Sequence, residues 1–238
     1  MSKVLVFDIE TAPCMSYIWG LYQEVNSTNF IQKDWYVICW SAKWLGEKKI
    51  FNASSRTEND YQCVKALWKL IDEADVLIAH NGDRFDVKKI NARFIIHGMK
   101  APSTYRTIDT LKAARANFKF TSNRLTDIGQ YLKVGKKMDT GGFDLWKGCM
   151  KGELKSIRKM QKYCDQDVKL LEKVYLKLRP YMKTHPNIAL MQNRCGCANC
   201  GSIKVQYRGY QYTNTSKYRR YQCTACGSWG RSKKKVAL

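Results

Sequence analysis

Two absences narrow what this 238-residue chain can be. No stretch approaches the length of a membrane span without a charged residue, which argues against a protein that spans membranes with hydrophobic helices. The N-terminus reaches an acid at Asp8, too early for the apolar centre of a signal peptide. We therefore expect a soluble, intracellular protein of the cytoplasm that does not bind membranes.

Acidic residues are missing from the C-terminal part of the chain. No Asp or Glu follows Glu172, whereas residues 173–238 contain fourteen Lys and Arg. Residues 1–172 carry the other twenty-eight basic residues and all twenty acidic ones, within a net charge of +22. Such an acid-free basic segment is typical of proteins that bind a polyanion, so we expect a nucleic-acid partner rather than a merely basic surface.

Cysteine spacing predicts a metal site rather than a disulfide framework. Five of the ten cysteines lie within residues 195–226. Cys197 and Cys200 form one C-x2-C-G pattern, and Cys223 and Cys226 form a second. Four thiolates at this spacing predict a closed tetrahedral site for one structural Zn²⁺. Cys195 is one cysteine too many, and it is expected either to be free or to replace Cys197.

The segment between the two cysteine pairs resembles a zinc ribbon. Residues 203–208 alternate like a strand, and residues 218–222 are a candidate partner strand. Its Lys and Arg residues interleave with tyrosines, a pattern suited to single-stranded nucleic acid. We predict a nucleic-acid-binding module at residues 187–238, with docking to a protein as the alternative, and a larger domain at residues 1–186.

Periodicity in residues 1–186 predicts an α/β domain with a mixed sheet flanked by helices. Strands are expected at residues 4–9, 35–42, 49–52 and 75–80, helices at residues 61–74, 86–97, 107–118, 124–132 and 154–182, and a loop at residues 133–151. The run before Asp8 is apolar on both faces, so helices should cover both sides of the sheet.

Four carboxylates stand where such a domain places ligands. Asp8 and Glu10 point to the same side of the first strand, at its C-terminal end. Asp86 follows another strand, where capping the next helix is the alternative role. Asp167 shares a helix face with Tyr163 and apolar residues, and a buried carboxylate needs a partner such as a metal ion.

Taken in chain order, these motifs resemble the DEDD (DnaQ-like) superfamily of 3′→5′ exonucleases, which includes polymerase proofreading domains and RNase D-like ribonucleases. The matching motifs are D-x-E-T at residues 8–11, N-x3-F-D at residues 81–86 and Y-x3-D at residues 163–167. The last motif corresponds to the tyrosine subclass (DEDDy). The histidine subclass would place His where this chain has Lys162.

The resemblance implies an RNase H-like fold with a mixed five-stranded sheet and hydrolysis by two Mg²⁺ or Mn²⁺ ions. It implies that Asp8 bridges both ions, that Glu10 and Asp167 complete the site of the ion that activates water, and that Asp86 holds the other ion. Tyr163 would orient the attacking water. The adjacent motif residues Thr11, Asn81 and Phe85 are then expected to bind the terminal nucleotide.

The sequence-based hypothesis is a two-metal 3′→5′ exonuclease that releases nucleoside monophosphates from single-stranded or frayed nucleic acid. The residues leave DNA and RNA open, and the resemblance to proofreading domains favours DNA. A replication or repair protein is a further candidate partner. Two alternatives are an RNase H-like structure-specific endonuclease and a non-catalytic nucleic-acid-binding adaptor.

Overall fold

The computed structural model describes residues 2–22 and 27–237. Its strands are β1 (Val4–Thr11), β2 (Met15–Ser16), β3 (Ile31–Lys33), β4 (Val37–Trp44), β5 (Phe51–Ser54), β6 (Val76–Ala79), β7 (Arg106–Asp109), β8 (Val205–Tyr212), β9 (Lys217–Cys223) and β10 (Trp229–Lys235). Its helices are α1 (Tyr61–Asp72), α2 (Asp86–Ile96), α3 (Thr110–Asn117), α4 (Leu125–Tyr131), α5 (Asp144–Met150), α6 (Leu154–Leu178) and α7 (Ile188–Met191). Within the described ranges, none of the helices could cross a membrane by its length and hydropathy.

A mixed five-stranded sheet in the order β5-β4-β1-β6-β7 forms the centre of the larger domain. The central strand β1 pairs antiparallel with β4 and parallel with β6, while β6 and β7 are parallel. This sheet and the helices around it confirm the predicted RNase H-like α/β architecture, including the small β region at the C-terminus.

Helices cover both faces of the sheet, as the two-sided apolar pattern of β1 predicts. Leu5, Phe7 and Ile9 pack with α1 and α2 on one face, and Val4 and Val6 pack with α3, α4 and α6 on the other. Because side chains alternate along a strand, Asp8 and Glu10 continue the row of Val4 and Val6 and face α6. The alternation of apolar residues thus decides on which face the carboxylates lie.

Residues 107–109, predicted to begin a helix, instead form strand β7, so that prediction is wrong. Ile108 pairs with Ile78 of β6 and is buried in the core. Asp109 ends the strand and caps α3, since its side chain accepts hydrogen bonds from the backbone amides of Leu111 and Lys112 at 2.9 and 3.3 Å. A short strand that runs directly into a capped helix leaves little sequence signal of its own.

The loop predicted at residues 133–151 contains helix α5, so the prediction is wrong for residues 144–150. Leu145 and Cys149, one turn apart, are buried against Ile157 and Met160 of α6. Gly148 is needed for close approach of the two helices, because a Cβ there would lie 2.2 Å from the Ser156 hydroxyl oxygen. Gly148, which contributed to the prediction of a loop, therefore allows α5 and α6 to pack closely.

A three-stranded sheet in the order β10-β9-β8 forms the C-terminal module. It is joined to the larger domain near the end of α6, where Asn199 Nδ2 donates to the carbonyl oxygen of Arg179 at 2.9 Å. The connecting segment contributes to the core between the sheet and α6, since Met182 and Ile188 are buried in the same cluster as Leu178. The predicted pairing of the strands near residues 203–208 and 218–222 corresponds to β8 and β9.

Candidate active site and zinc centre

Three of the predicted carboxylates meet between β1 and α6. One carboxylate oxygen from each of Asp8, Glu10 and Asp167 lies within 4.8 Å of the others. Asp167 is fully buried because it belongs to the inward face of α6, which also carries Met160, Tyr163 and Leu171. The periodicity of the helix therefore places the Asp167 carboxylate next to the Asp8 and Glu10 side chains of β1.

Asp86 lies beside this group at the first turn of α2. Its Oδ1 accepts a hydrogen bond from the backbone amide of Ile9 at 3.2 Å, which holds the carboxylate between the positions of Asp8 and Glu10 on β1. Phe85, not Asp86, occupies the N-cap position, and no side chain caps this helix. The alternative of a capping aspartate therefore does not describe Asp86 in this structure.

Burial, with repulsion between neighbouring carboxylates, raises the pKa values in this cleft. Burial, together with the charge of Asp167, raises the pKa of Asp8 to about 7. Burial raises the pKa of Glu10 and of Asp86 well above their usual ranges, and the negative charge of Asp8 adds to both shifts. Burial also raises the pKa of Asp167. Four mutually repelling carboxylates in a cleft are stabilised by a cation.

Lys137 supplies one cation, and the sequence analysis missed it. Its Nζ contacts Asp167 Oδ2 at 2.5 Å and donates to the Tyr163 hydroxyl oxygen at 3.0 Å. Burial alone would lower the pKa of Lys137, but the charges of Asp167 and Asp8 outweigh burial and raise it. Lys137 lies in the segment between α4 and α5, among other lysines, and no short motif distinguishes it from them.

Tyr163 lies one helical turn before Asp167 with its hydroxyl in the same cleft. Only 8% of the residue is exposed, and burial raises the pKa of the phenol to about 12. The group is therefore a neutral hydroxyl at physiological pH, able both to donate and to accept a hydrogen bond. Its ring packs against α5 and β4 in the core cluster that contains Leu145 and Ile38.

The three predicted nucleotide-binding residues surround the carboxylates without forming one surface. Asn81 has a left-handed backbone conformation with φ of 66°, and its backbone amide donates a hydrogen bond to Asp109 Oδ1 at 2.9 Å. Phe85 is 38% exposed, and Lys89 Nζ lies 5.8 Å from the centre of its ring. Thr11 lines a different cavity, described below.

Two open cavities flank the carboxylates. The first, called here the basic groove, has a volume of about 480 Å³ and is lined by residues that include His80, Asn81, Arg115, Asn123, Arg124 and Lys137. The second has a volume of about 520 Å³, and its lining includes Thr11, Trp35, Lys89, Phe143 and Trp146. The basic groove reaches the carboxylates at Lys137, which contacts Asp167, and the second cavity, called here the aromatic pocket, reaches them at Thr11, which follows Glu10.

Comparison with known proteins gives the family. A sequence profile described as the RNase H superfamily matches residues 5–179. The chain belongs to the RNase H superfamily. Among solved structures, it is similar to the family B DNA polymerase from the hyperthermophilic archaeon Pyrobaculum calidifontis, with a TM-score of 0.55 and 16% sequence identity. The similarity covers 76% of this chain and 25% of the polymerase chain, and no curated protein matches.

Membership of the RNase H superfamily supports a nuclease that uses divalent metal ions. The carboxylate cluster of this superfamily member fits such ions, because one oxygen of Asp167, Oδ1, is buried without a hydrogen-bond partner within the described part of the chain. Carboxylate oxygens are hard ligands, which favour Mg²⁺ or Mn²⁺. Burial raises the pKa values of all four carboxyl groups, so a bound cation would stabilise their ionised forms.

His80 and His97 are both held by hydrogen bonds within the fold. His80 contacts the Thr110 hydroxyl at 2.9 Å and the carbonyl oxygen of Asn123 at 3.0 Å. His97 lies on the opposite face of the sheet, where it contacts the buried carboxylate of Asp60 at 2.6 Å. Both ring nitrogens of His80 are occupied, which ties the end of β6 to the loop before α4.

The four predicted zinc ligands come together in the C-terminal module. The ligand atoms of Cys197, Cys200, Cys223 and Cys226 all lie within 4.8 Å of one another. Two of the S···S separations are 3.6 and 3.7 Å, close to the ~3.8 Å that a tetrahedron with Zn–S bonds of about 2.3 Å requires. Cys195 is exposed and is not part of this group.

The pKa values of the cysteine thiols also favour a metal ion that prefers sulfur ligands. A hydrogen bond from Cys200 lowers the pKa of Cys197 to about 5, while the same contact raises the pKa of Cys200. Cys197 therefore ionises more readily than Cys200, and the thiols release their protons when a cation binds. Four sulfur ligands leave no open coordination position, so the residues fit a structural Zn²⁺.

Proposed function

We propose that this protein is a metal-dependent 3′→5′ exonuclease of the tyrosine subclass of the DEDD superfamily. The observation that carries the proposal is the convergence of Asp8, Glu10, Asp86 and Asp167 on one cleft, with the Tyr163 hydroxyl beside them. A superfamily fold supplies the sheet, but the tyrosine and the fourth acid on α2 distinguish this arrangement within the superfamily.

In this proposal, Asp8, Glu10 and Asp167 would hold one Mg²⁺ or Mn²⁺ ion, and Asp8 and Asp86 would hold a second. When bound, the ions supply an activated water and stabilise the leaving 3′-oxygen. Tyr163, as a neutral hydroxyl, orients the attacking water. Lys137 holds the Tyr163 hydroxyl and Asp167 Oδ2 in a fixed relation, which keeps both side chains in register with β1.

Thr11, Asn81 and Phe85 position the terminal nucleotide in the proposed mechanism. Asn81 lies in the basic groove, and Thr11 lies in the aromatic pocket beyond Glu10. Hydrolysis one phosphate from the end releases a nucleoside monophosphate. We favour DNA over RNA as the substrate, because the carboxylate motifs resemble those of proofreading domains; the similarity of the fold to a DNA polymerase is consistent with this choice.

The zinc ribbon, residues 187–238, is proposed as a second contact with nucleic acid. Cationic side chains lie over aromatic rings on both of its faces: Arg219 over Tyr207 at 4.2 Å, and Arg231 over Tyr218 at 4.3 Å. Cations for phosphates beside rings for bases suit a single strand. Bound zinc would stabilise this small module, whose described residues include one small buried cluster of Cys197, Tyr221 and Cys223.

A comparison of Asp167→Asn with Asp165→Asn tests the assignment. Asp165 lies on the same helix but faces Ser41 and Asn52, which donate to its Oδ1 at 2.6 and 3.0 Å. With Mg²⁺ or Mn²⁺ and a single-stranded substrate, Asp167→Asn should lose cleavage and retain binding, whereas Asp165→Asn should keep both. Wild-type turnover by Asp167→Asn would rule out the proposed site, and strand binding by an inactive wild type would favour an adaptor.

A further inference from the structure

Four aromatic side chains form a continuous strip on the surface of the larger domain. The aromatic strip consists of Tyr131, Phe120, Phe118 and Tyr181, in that spatial order. Successive ring centres are 5.9, 5.1 and 5.2 Å apart. The two phenylalanines pack against the core cluster that includes Leu178, which fixes the strip in place.

The ends of the aromatic strip are open to solvent. Tyr131 is 50% exposed and Tyr181 is 62% exposed. Rings that are anchored by neighbours yet exposed on their outer faces are suited to stacking with a planar ligand. A contiguous exposed apolar patch on a domain of this size is typical of a binding surface.

The two central rings of the strip lie close in sequence to residues that line the basic groove. Arg115 lies on the last turn of α3, one turn before Phe118, and Arg124 follows Phe120 by four residues. Both arginines line the groove together with Lys137, which contacts the Asp167 carboxylate. The groove therefore reaches the proposed metal site at Lys137, and its two arginines lie three and four residues from the central rings of the strip.

One end of the strip reaches the zinc ribbon. Tyr181 directly follows Pro180, whose Cβ lies 4.0 Å from the position that a Cβ on Gly227 would occupy. Gly227 belongs to the second C-x2-C-G pattern, and Asn199 of the first pattern donates a hydrogen bond to the carbonyl oxygen of Arg179. The strip thus links sequence neighbours of the groove residues to the module that we propose to bind nucleic acid.

The charge around the strip identifies its ligand. Residues 115–137 contain six Lys and Arg but one acid, Asp127, whose carboxylate accepts a hydrogen bond from the Ser122 hydroxyl. A cationic surface that presents aromatic rings favours a polyanion with exposed planar groups. Single-stranded nucleic acid has both properties, whereas a duplex hides its bases.

We propose that the aromatic strip is a track for the single strand, which carries the 5′ part of the substrate from the carboxylate cleft to the zinc ribbon. The inference rests on the proposed exonuclease function, because the 3′ end is placed at the carboxylates. Bases upstream of the cleaved bond stack on Tyr131 and Tyr181, while Arg115 and Arg124 contact phosphates. The track makes affinity depend on strand length.

Substrate length tests this track. Variants Tyr131→Ala and Tyr181→Ala are compared with the wild type, using a trinucleotide and a 20-nucleotide single strand. Binding is measured by fluorescence anisotropy without divalent ions, and kcat/KM is measured with Mn²⁺. Each variant should weaken binding of the long strand about tenfold, since one base stack is lost. On the trinucleotide, kcat/KM should be unchanged.

Two controls separate the track from a general effect on folding. Ile95→Ala changes an exposed apolar residue of α2, which packs on the opposite face of the sheet, and should change neither binding nor cleavage. Tyr181→Phe keeps the ring and should retain affinity for the long strand.

Unchanged affinity of both alanine variants for the 20-nucleotide strand would overturn the track and favour a protein partner for the strip. Equal losses of kcat/KM on the trinucleotide and the long strand would also overturn it, because they would show an effect on the active site. Binding is measured independently of cleavage. An inactive wild type would therefore refute the proposed function while the binding comparison still decides the track.

Discussion

Asp8→Asn should make the protein more stable when divalent metal is absent, although it removes a proposed metal ligand. Burial and the neighbouring Asp167 raise the pKa of Asp8 from 3.8 to about 7, so ionised Asp8 opposes folding. Because the folded-state pKa lies above the unfolded-state value, this group lowers the stability as pH rises from about 4 to about 7. The full penalty is present at pH 8.

The shift in pKa sets an upper limit for the effect. A difference of about three pKa units corresponds to about 4 kcal/mol at pH 8. Asp8 is only partly buried, and its replacement by a neutral amide costs Lys137 some of its electrostatic stabilisation, so we expect about 2 kcal/mol. For a protein of this size, the melting temperature should rise by about 4–8 °C.

Thermal unfolding in EDTA measures this effect at pH 8 and pH 5. The stabilisation by Asp8→Asn should be largest at pH 8 and should shrink at pH 5, where Asp8 of the wild type is mostly protonated. Mn²⁺ at pH 8 should raise the melting temperature of the wild type more than that of Asp8→Asn. Asp165→Asn should bind Mn²⁺ like the wild type.

A lower melting temperature for Asp8→Asn than for the wild type at pH 8 in EDTA would refute this reasoning. It would mean that Lys137 already neutralises the cluster, as in a structural ion-pair network. The carboxylates would then stabilise the metal-free fold through their pairing with Lys137, and would not need a metal ion to do so.

Three further changes have distinct expected results. Tyr163→Phe should reduce kcat substantially at an unchanged melting temperature, because only the hydroxyl is lost; wild-type kcat would contradict its role in orienting water. Lys137→Met should lower kcat by about 10- to 100-fold with little change in strand affinity, and equal losses in both would assign Lys137 to the substrate instead. Cys223→Ser should reduce bound zinc and weaken binding of long strands, measured by metal analysis and anisotropy; full zinc content would contradict the four-sulfur site.

The positions of Asp8, Glu10 and Asp167 could be predicted because each of them belongs to a periodic apolar pattern. Asp8 and Glu10 follow an apolar run whose alternation fixes their side of the strand. Asp167 falls on the apolar stripe of a long helix, and Asp165, two positions earlier, falls off it. Sequence periodicity therefore distinguishes the acid that enters the cleft from the one that bonds to Ser41.

Lys137 could not be predicted in the same way, because its position depends on tertiary packing alone. It lies in an irregular segment, where no periodicity indicates which lysine turns inward. Its pairing with Asp167 joins positions thirty residues apart. Lys137 is stabilised in the cleft between β1 and α6 because the negative charges of Asp8 and Asp167 attract its ammonium group.

Strands and helices that depend on packing against neighbouring elements also could not be predicted from the sequence. Strand β7 exists because β6 provides a parallel edge for Ile108, and helix α5 exists because Leu145 and Cys149 find a surface on α6. Strand β10 carries a run of lysines that gives no apolar alternation, yet it pairs antiparallel with β9. Each of these elements gains its stability from packing rather than from its own propensity.

Polarity of cleavage tests the central claim most directly. A single-stranded DNA labelled at its 5′ end is incubated with the wild-type protein and Mn²⁺, and the labelled products are resolved by length over time. The proposed function predicts a ladder of strands that shorten one nucleotide at a time, with release of nucleoside monophosphates. Labelled products of discrete internal sizes from the first time points, or immediate release of the labelled 5′ nucleotide, would contradict a 3′→5′ exonuclease.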